Sequence, residues 1–131
     1  MIKKIEERIV DCLSNLDIAI HVYHAFSTLS TYIKLDYGAL NSIRISNHAG
    51  KAKYQYKYNI GTDIEEYREI NCGNFVRYYY PATEVERLLC DVLLEHAIKS
   101  QNCKYKERKE TYKANRDMTL SFWRCCIEIK P

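Results

Sequence analysis

The chain of 131 residues predicts an α+β fold: an N-terminal helix, an antiparallel β-meander of about four strands, and C-terminal helices packed on one face of the sheet. Three observations carry that expectation. Ile2, Ile5, Ile9, Leu13 and Leu16 step by three or four between charged residues, the period of an amphipathic helix. The stretch from Asn41 to Thr62 holds two runs of alternating residues around a short loop, the pattern of paired strands. Thr83 to Glu86 reads T-x-x-E, a capping box, ahead of the apolar stripe Val85, Leu88, Leu89, Val92, Leu93 and Ile98.

The elements follow in order. Helix one covers the Ile2–Leu16 stripe. The next segment, "IAIHVYHAFSTLSTYIKLDY", is rich in Val, Ile, Tyr and Thr and favours strand. One strand is placed at Tyr32–Asp36, and His21–Phe26 could form another. Asp36-Tyr37-Gly38 reads as a turn. Strand Ser42–Ser46 follows, then the loop Asn47-His48-Ala49-Gly50, then strand Lys53–Ile60, paired antiparallel through short links. Residues 62–74 are polar and ambiguous, with Asp63–Tyr67 suited to a helical turn. "FVRYYYP" reads as a strand ended by Pro81, and the capped helix runs from Thr83 to Lys99. Lys104–Asp117 carries six cations and three anions and is expected as an exposed helix. Met118–Ile129 turns apolar again and reads as a last helix or a returning strand.

Composition narrows the class. The length fits a single domain, 1–131, and 47% hydrophobic residues can build a core. Only four Gly and two Pro interrupt the chain, which favours regular elements. A net charge of +3 permits an anionic partner but falls short of a basic nucleic-acid stripe, so no nucleic-acid polymer is expected. No apolar run approaches a membrane span, and the charged N-terminal residues do not form a signal peptide, so a cytoplasmic location is expected. There Cys12, Cys72, Cys90, Cys103, Cys125 and Cys126 would stay reduced. No CxxC and no Cys/His pair has zinc spacing, so neither metal nor cofactor is expected.

Catalytic signatures are absent: no GxGxxG, phosphate loop, GxSxG or HExxH occurs. His21, His24, His48 and His96 assemble no local nucleophile pattern, and no catalytic residue is assigned. Binding is better supported. Twelve tyrosines against three phenylalanines favour half-wet surfaces. Tyr54, Tyr56 and Tyr58 recur on alternate residues. If these rings and Ile43 and Ile45 face the helices, the opposite sheet face carries Arg44, Lys53, Lys57 and Arg77. Arginine matches phosphate oxygens in pairs, rings stack on bases, and amides read base edges. That chemistry suits a nucleotide. A solvated sheet face with scattered cations would leave the same trace. Trp123 and Phe122, close to one terminus, suit a contact with a second copy.

The segment "STLSTYIKLDYGALNSIRISNHAGKAKYQYKYNI" is similar to a hairpin found in small bacteriophage proteins, with its specific motif between Tyr32 and Ile60. In size and element order the chain most resembles the first described kind of Thoeris anti-defence sponges. The resemblance implies a phage protein that binds a cyclic nucleotide immune signal without cleaving it. The signal would be a cyclic ADP-ribose isomer, with cyclic oligonucleotides as further ligands. It also implies a dimer or larger homo-oligomer with pockets at subunit contacts, acting in the host cytoplasm during infection. The candidate ligand-binding residues are chosen by chemistry. Arg44 and Arg77, with Arg108 and Arg116 of a neighbouring subunit, would hold the diphosphate. Phe75 or Tyr79 would stack on adenine, and Asn47, Asn74 or His48 would read base or ribose edges. The alternative is a phage protein–protein inhibitor of a bacterial defence complex, such as an anti-CRISPR protein.

Overall fold

The computed structural model describes residues 1–25, 29–47, 56–115 and 126–131. Helix α1 (Ile2–Leu13) opens the fold and is followed by β1 (Ile20–His24), β2 (Thr31–Leu35), β3 (Ser42–Ile45), β4 (Tyr58–Gly61), β5 (Arg68–Cys72) and β6 (Phe75–Pro81). Helices α2 (Val85–Lys99) and α3 (Cys103–Asn115) come next, and β7 (Ile127–Lys130) ends the chain. The α+β class stands as expected, with an N-terminal helix and C-terminal helices.

The sheet departs from the expected meander of about four antiparallel strands. It has seven strands in the order β5-β6-β4-β3-β2-β1-β7. β4 runs parallel to both β3 and β6, and the remaining pairs are antiparallel. The expected hairpin of Ser42–Ser46 with Lys53–Ile60 is therefore a parallel pair, Ile43 opposite Tyr58 and Ile45 opposite Ile60. The chain leaves β4, runs out to β5 at the sheet edge, and turns back as β6 between the two. β3 and β4 are buried at every position, as parallel strands covered on both faces must be.

Close approach fixes the β3–β4 seam. A Cβ on Gly61 would lie 1.8 Å from the Ser46 carbonyl oxygen, so only glycine fits there. The Ser46 amide donates to the Ile60 carbonyl at 3.0 Å across the same seam.

The core lies between one sheet face and two helices. α1 buries Ile5, Ile9 and Leu13, and α2 buries Leu88, Leu89 and Val92. They join Ile20, Val22, Ile33, Leu35, Ile43, Ile45, Ile60 and Tyr80 in one apolar cluster. Each such aliphatic side chain contributes about 1.5–3 kcal/mol on burial. Arg8 of α1 reaches Glu86 of α2 through two hydrogen bonds, at 2.9 and 2.8 Å.

Two smaller expectations are corrected and a third is resolved. The capping box at Thr83 does not form: a 3-10 turn spans Ala82–Glu84, and α2 starts at Val85 without a side-chain cap. Asp63–Tyr67 is not helical, and β5 follows directly. Of the two readings of the tail, the returning strand is the one found over Ile127–Lys130. Tyr54 lies outside the described residues, as do Phe122 and Trp123.

A cationic cleft at the amino ends of the parallel strands

The turn after β2 shapes the candidate site. Asp36, Tyr37, Gly38 and Asn41 all have positive φ, at 48°, 57°, 97° and 82°. Such backbone is strained for every residue but glycine, and persists where its surroundings hold it. Gly38 is required twice over, since a Cβ there would also press on Lys34 Cε at 3.0 Å. Asp36 is the anchor. Its carboxylate is fully buried, accepts from the Ala19 amide at 2.8 Å and from the Tyr105 hydroxyl, and pairs with Lys109 at 3.4 Å. Burial nonetheless holds its pKa above the ordinary carboxylate range, against those hydrogen bonds and the Lys109 charge.

This turn forms one wall of a cleft of about 700 Å³, a size that suits a nucleotide-sized ligand. Gly38, Asn41 and Ser42 line that wall. The tip of the β5–β6 hairpin supplies Asn74, Phe75 and Val76, α2 supplies Glu95 and Lys99, and α3 supplies Arg108 and Tyr112. Lys34, Tyr56, Lys57 and Tyr78 complete the lining. The site thus lies off the amino ends of β3, β4 and β6, whereas open α/β sheets bind nucleotides at carboxyl ends. The end of α2 that reaches it is the carboxyl end, whose dipole repels anions. Positive charge must therefore come from side chains, and the lining holds four cations against one carboxylate.

Glu95 organises two of those cations. Its oxygens accept from Asn41 Nδ2 at 2.8 Å, from Lys57 Nζ at 2.9 Å and from the Tyr58 hydroxyl. Lys99 Nζ stands 3.2 Å away, one helical turn on. Burial alone would raise the Glu95 pKa, but the Tyr58 and Lys57 hydrogen bonds and the two lysine charges outweigh it and leave it lowered. Tyr58 is pushed well above the usual phenol range, first by burial and then by the facing Glu95 carboxylate. One turn earlier on α2, Asp91 accepts from the Tyr80 hydroxyl at 2.5 Å, so two sheet tyrosines are tied to two carboxylates of one helix. Lys34, whose side chain lies against Gly38, has its pKa lowered by burial. Arg108 lies over the Tyr112 ring at 5.8 Å and donates to its hydroxyl at 3.3 Å.

The rings are divided between the sheet faces. Tyr58 faces the helices and stacks on Tyr78 with centroids 5.7 Å apart. Tyr56 does not share that side: a bend at Lys57 turns it to the other face. There it meets Tyr32 at 6.4 Å and stands between the guanidinium groups of Arg44 at 5.3 Å and Arg77 at 4.7 Å. The same bend sends Lys57, expected on the far face, to Glu95 on the helix side.

The sequence-derived residues therefore separate. Asn74, Phe75 and Arg108 line the cleft. Arg44, Arg77 and Tyr79 lie on the far face and are not part of the lining. Arg44 is buried at 5% exposure with Nη1 3.4 Å from the Tyr56 hydroxyl. Tyr79 packs under Arg68 at 5.8 Å, and Arg77 also covers Phe75 at 5.2 Å. Asn47 sits at the opposite end of β3, accepting from the Thr62 hydroxyl at 2.8 Å. His48 and Arg116 lie outside the described residues. Arg108 reaches the cleft of its own chain and needs no neighbouring subunit to do so.

Comparisons with protein-family models, with curated proteins and with solved structures found no match. Among the described residues no group of His, Cys, Asp and Glu could hold a metal ion, and no helix is long and apolar enough to cross a membrane.

The reading of the sequence did not include Lys34, Asn41, Ser42, Tyr78, Glu95, Lys99 and Tyr112 in the site. Glu95 and Lys99, four apart on a helix, were a signal on one face of α2. The others carry no local pattern that marks a pocket.

Proposed function

We propose that this protein is a receptor, not an enzyme, which binds a small phosphate-bearing nucleotide in the cleft and holds it unchanged. One observation carries the reading: four cations and four aromatic rings line a single cleft of nucleotide size. Lys34 and Arg108 are the cations not committed to Glu95, and they suit phosphate oxygens. Phe75, exposed at the mouth of the sheet, offers a face for a base, worth about 1–3 kcal/mol when stacked. Asn74 offers an amide for a base or ribose edge. Holding without cleavage needs no catalytic base or metal.

The sequence resemblance makes a cyclic ADP-ribose isomer the first ligand to try, in a phage protein that lowers the free immune signal in the host cytoplasm. A dissociation constant of nanomolar order, about −12 kcal/mol, would starve an effector at micromolar protein. A homo-oligomer belongs to the same reading, and Leu94 and Ile98, exposed one turn apart on α2, suit a contact with a second copy. The alternative, a protein–protein inhibitor of a defence complex, draws support from apolar residues on the outermost strands: Ile70 of β5 and Ile127 and Ile129 of β7 are exposed.

A depletion assay separates the two. The protein is incubated with the cyclic nucleotide and filtered, then heat-denatured, and the free ligand is measured at each stage. Loss before heating with intact recovery afterwards supports the receptor. No loss favours the protein–protein inhibitor, and a chemically altered ligand would mean an enzyme.

A further inference from the structure

Helix α3 brings Arg108 and Tyr112 to the cleft, yet little holds it there. Of its 13 residues Tyr105 is buried, Lys109 and Tyr112 on the same face are half-buried, and the rest are exposed. A helix of this length is marginal in water by itself, and one without a broad apolar face draws its stability from what it docks against. Its dock is Asp36, whose buried carboxylate accepts from the Tyr105 hydroxyl and pairs with Lys109 at 3.4 Å. Its start is closed locally, by the Asn102 side chain accepting from the Lys104 amide at 2.9 Å. Helix α2 differs: it buries Leu88, Leu89 and Val92. Asn41, Ser42, Lys57 and Lys99, which line the other walls of the cleft, belong to the sheet side and to α2. They are in place whether or not α3 is docked.

We propose that α3 is a clasp closed by the ligand: Asp36 positions it through Tyr105 and Lys109, and an anion gripped by Arg108 shifts it from a loosely docked to a fully docked state. The inference rests on the reading of the cleft as an anion-binding site. Arg108 is exposed and donates to Tyr112 of its own helix at 3.3 Å, so its charge travels with α3. The facing wall keeps a net positive charge, since Lys57 and Lys99 together outweigh the Glu95 carboxylate they pair with. An anion bridging the two sides binds the docked state more tightly than the undocked one. It must therefore raise the docking equilibrium by the ratio of those two affinities. If losing Arg108 weakens binding roughly tenfold, a bound anion makes undocking of α3 roughly tenfold rarer.

The test is hydrogen exchange of the full chain, read by mass spectrometry on α3 and α2, with and without saturating inorganic pyrophosphate. In the free protein α3 amides should exchange faster than those of α2. Pyrophosphate should slow α3 roughly tenfold more than α2. Arg108→Gln, at an exposed position, should lose most of that protection. Tyr105 is outside the cleft lining, yet Tyr105→Ala should weaken pyrophosphate binding toward the level of Arg108→Gln. Combining the two should cost little more than Arg108→Gln alone, a non-additivity that a merely structural residue would not show. Should Tyr105→Ala fail to fold, Tyr105→Phe takes its place. Additive costs overturn the inference, as does an α3 that exchanges as slowly as α2 in the free protein. Pyrophosphate bound with α3 exchange unchanged overturns it, and so do equal protection in Arg108→Gln and a wild type that does not bind pyrophosphate. Protection of α3 by pyrophosphate without binding of a cyclic nucleotide would uphold the clasp and overturn the nucleotide reading. A cyclic nucleotide bound with α3 exchange unchanged would do the reverse.

Discussion

The Tyr105 hydroxyl donates to the buried Asp36 carboxylate across 69 residues of chain. Tyr105 is the buried residue of α3, whose other positions are polar or half-exposed. Helix α3 is thus docked by one ring, one hydroxyl and the Lys109–Asp36 ion pair at 3.4 Å. That docking sets Arg108 and Tyr112 into the cleft. Tyr105→Phe keeps the ring and removes the hydroxyl, leaving a buried carboxylate one donor short. It should destabilise the protein by about 1–3 kcal/mol in urea unfolding. Limited proteolysis should cut within α3 sooner than in wild type.

Asp36 and Glu95 should push stability in opposite directions with pH. Burial raises the folded pKa of Asp36, so the folded state holds that proton more readily than the unfolded chain. Its contribution is full below the ordinary aspartate range and is lost as pH rises through the raised value. Glu95 has a lowered folded pKa, so its contribution is present above the ordinary glutamate range and lost as pH falls. Asp36→Asn should therefore remove a loss of stability on the way up from acid. Glu95→Gln should remove a loss on the way down. Denaturant midpoints measured across the acid range on both variants check the two signs.

Lys34 gives a third pH effect, on binding. Burial lowers its pKa, so it begins to lose its proton below the ordinary lysine range. A bound anion would favour the charged form, and affinity should fall with rising pH by up to about tenfold per unit in that window. Lys34→Arg stays charged and should flatten the curve. Lys34→Met should weaken anion binding at neutral pH and make it less sensitive to salt. Titrations with pyrophosphate over neutral to alkaline pH decide both points.

Gly61→Ala tests the parallel seam. Its methyl group would collide with the Ser46 carbonyl, which is backbone and cannot swing aside. The substitution should destabilise by about 1–3 kcal/mol or more, as overpacking does. Thermal unfolding gives the answer. A neutral result would contradict the β3–β4 pairing.

The helices were legible because burial repeats at their own period. Ile5, Ile9 and Leu13 on α1, and Leu88, Leu89 and Val92 on α2, are the residues the stripes identified. The strand β5 was not legible. Arg68, Glu69, Ile70 and Asn71 are exposed at a sheet edge, so neither face imposes an apolar alternation. Parallel pairing of β3 and β4 was missed for a different reason: β4 starts at Tyr58, not Lys53, so residues 46–57 are long enough for the crossover that a parallel pair needs, whereas the alternation read from Lys53 left only a hairpin-sized loop. The tyrosine row failed locally, since a bend at Lys57 breaks the two-residue period between Tyr56 and Tyr58. The cleft was half legible. Asn74, Phe75 and Arg108 have the chemistry of a binding site, but Lys34, Asn41 and Glu95 belong to it only because the sheet and α2 bring them there.

The most direct test is equilibrium calorimetry of the purified protein with a cyclic ADP-ribose isomer, run beside the variants Lys34→Met and Arg108→Gln. The account predicts tight binding by wild type, a loss of at least tenfold in each variant, and ligand recovered intact. No heat of binding with wild type, or equal affinity in all three proteins, would contradict it.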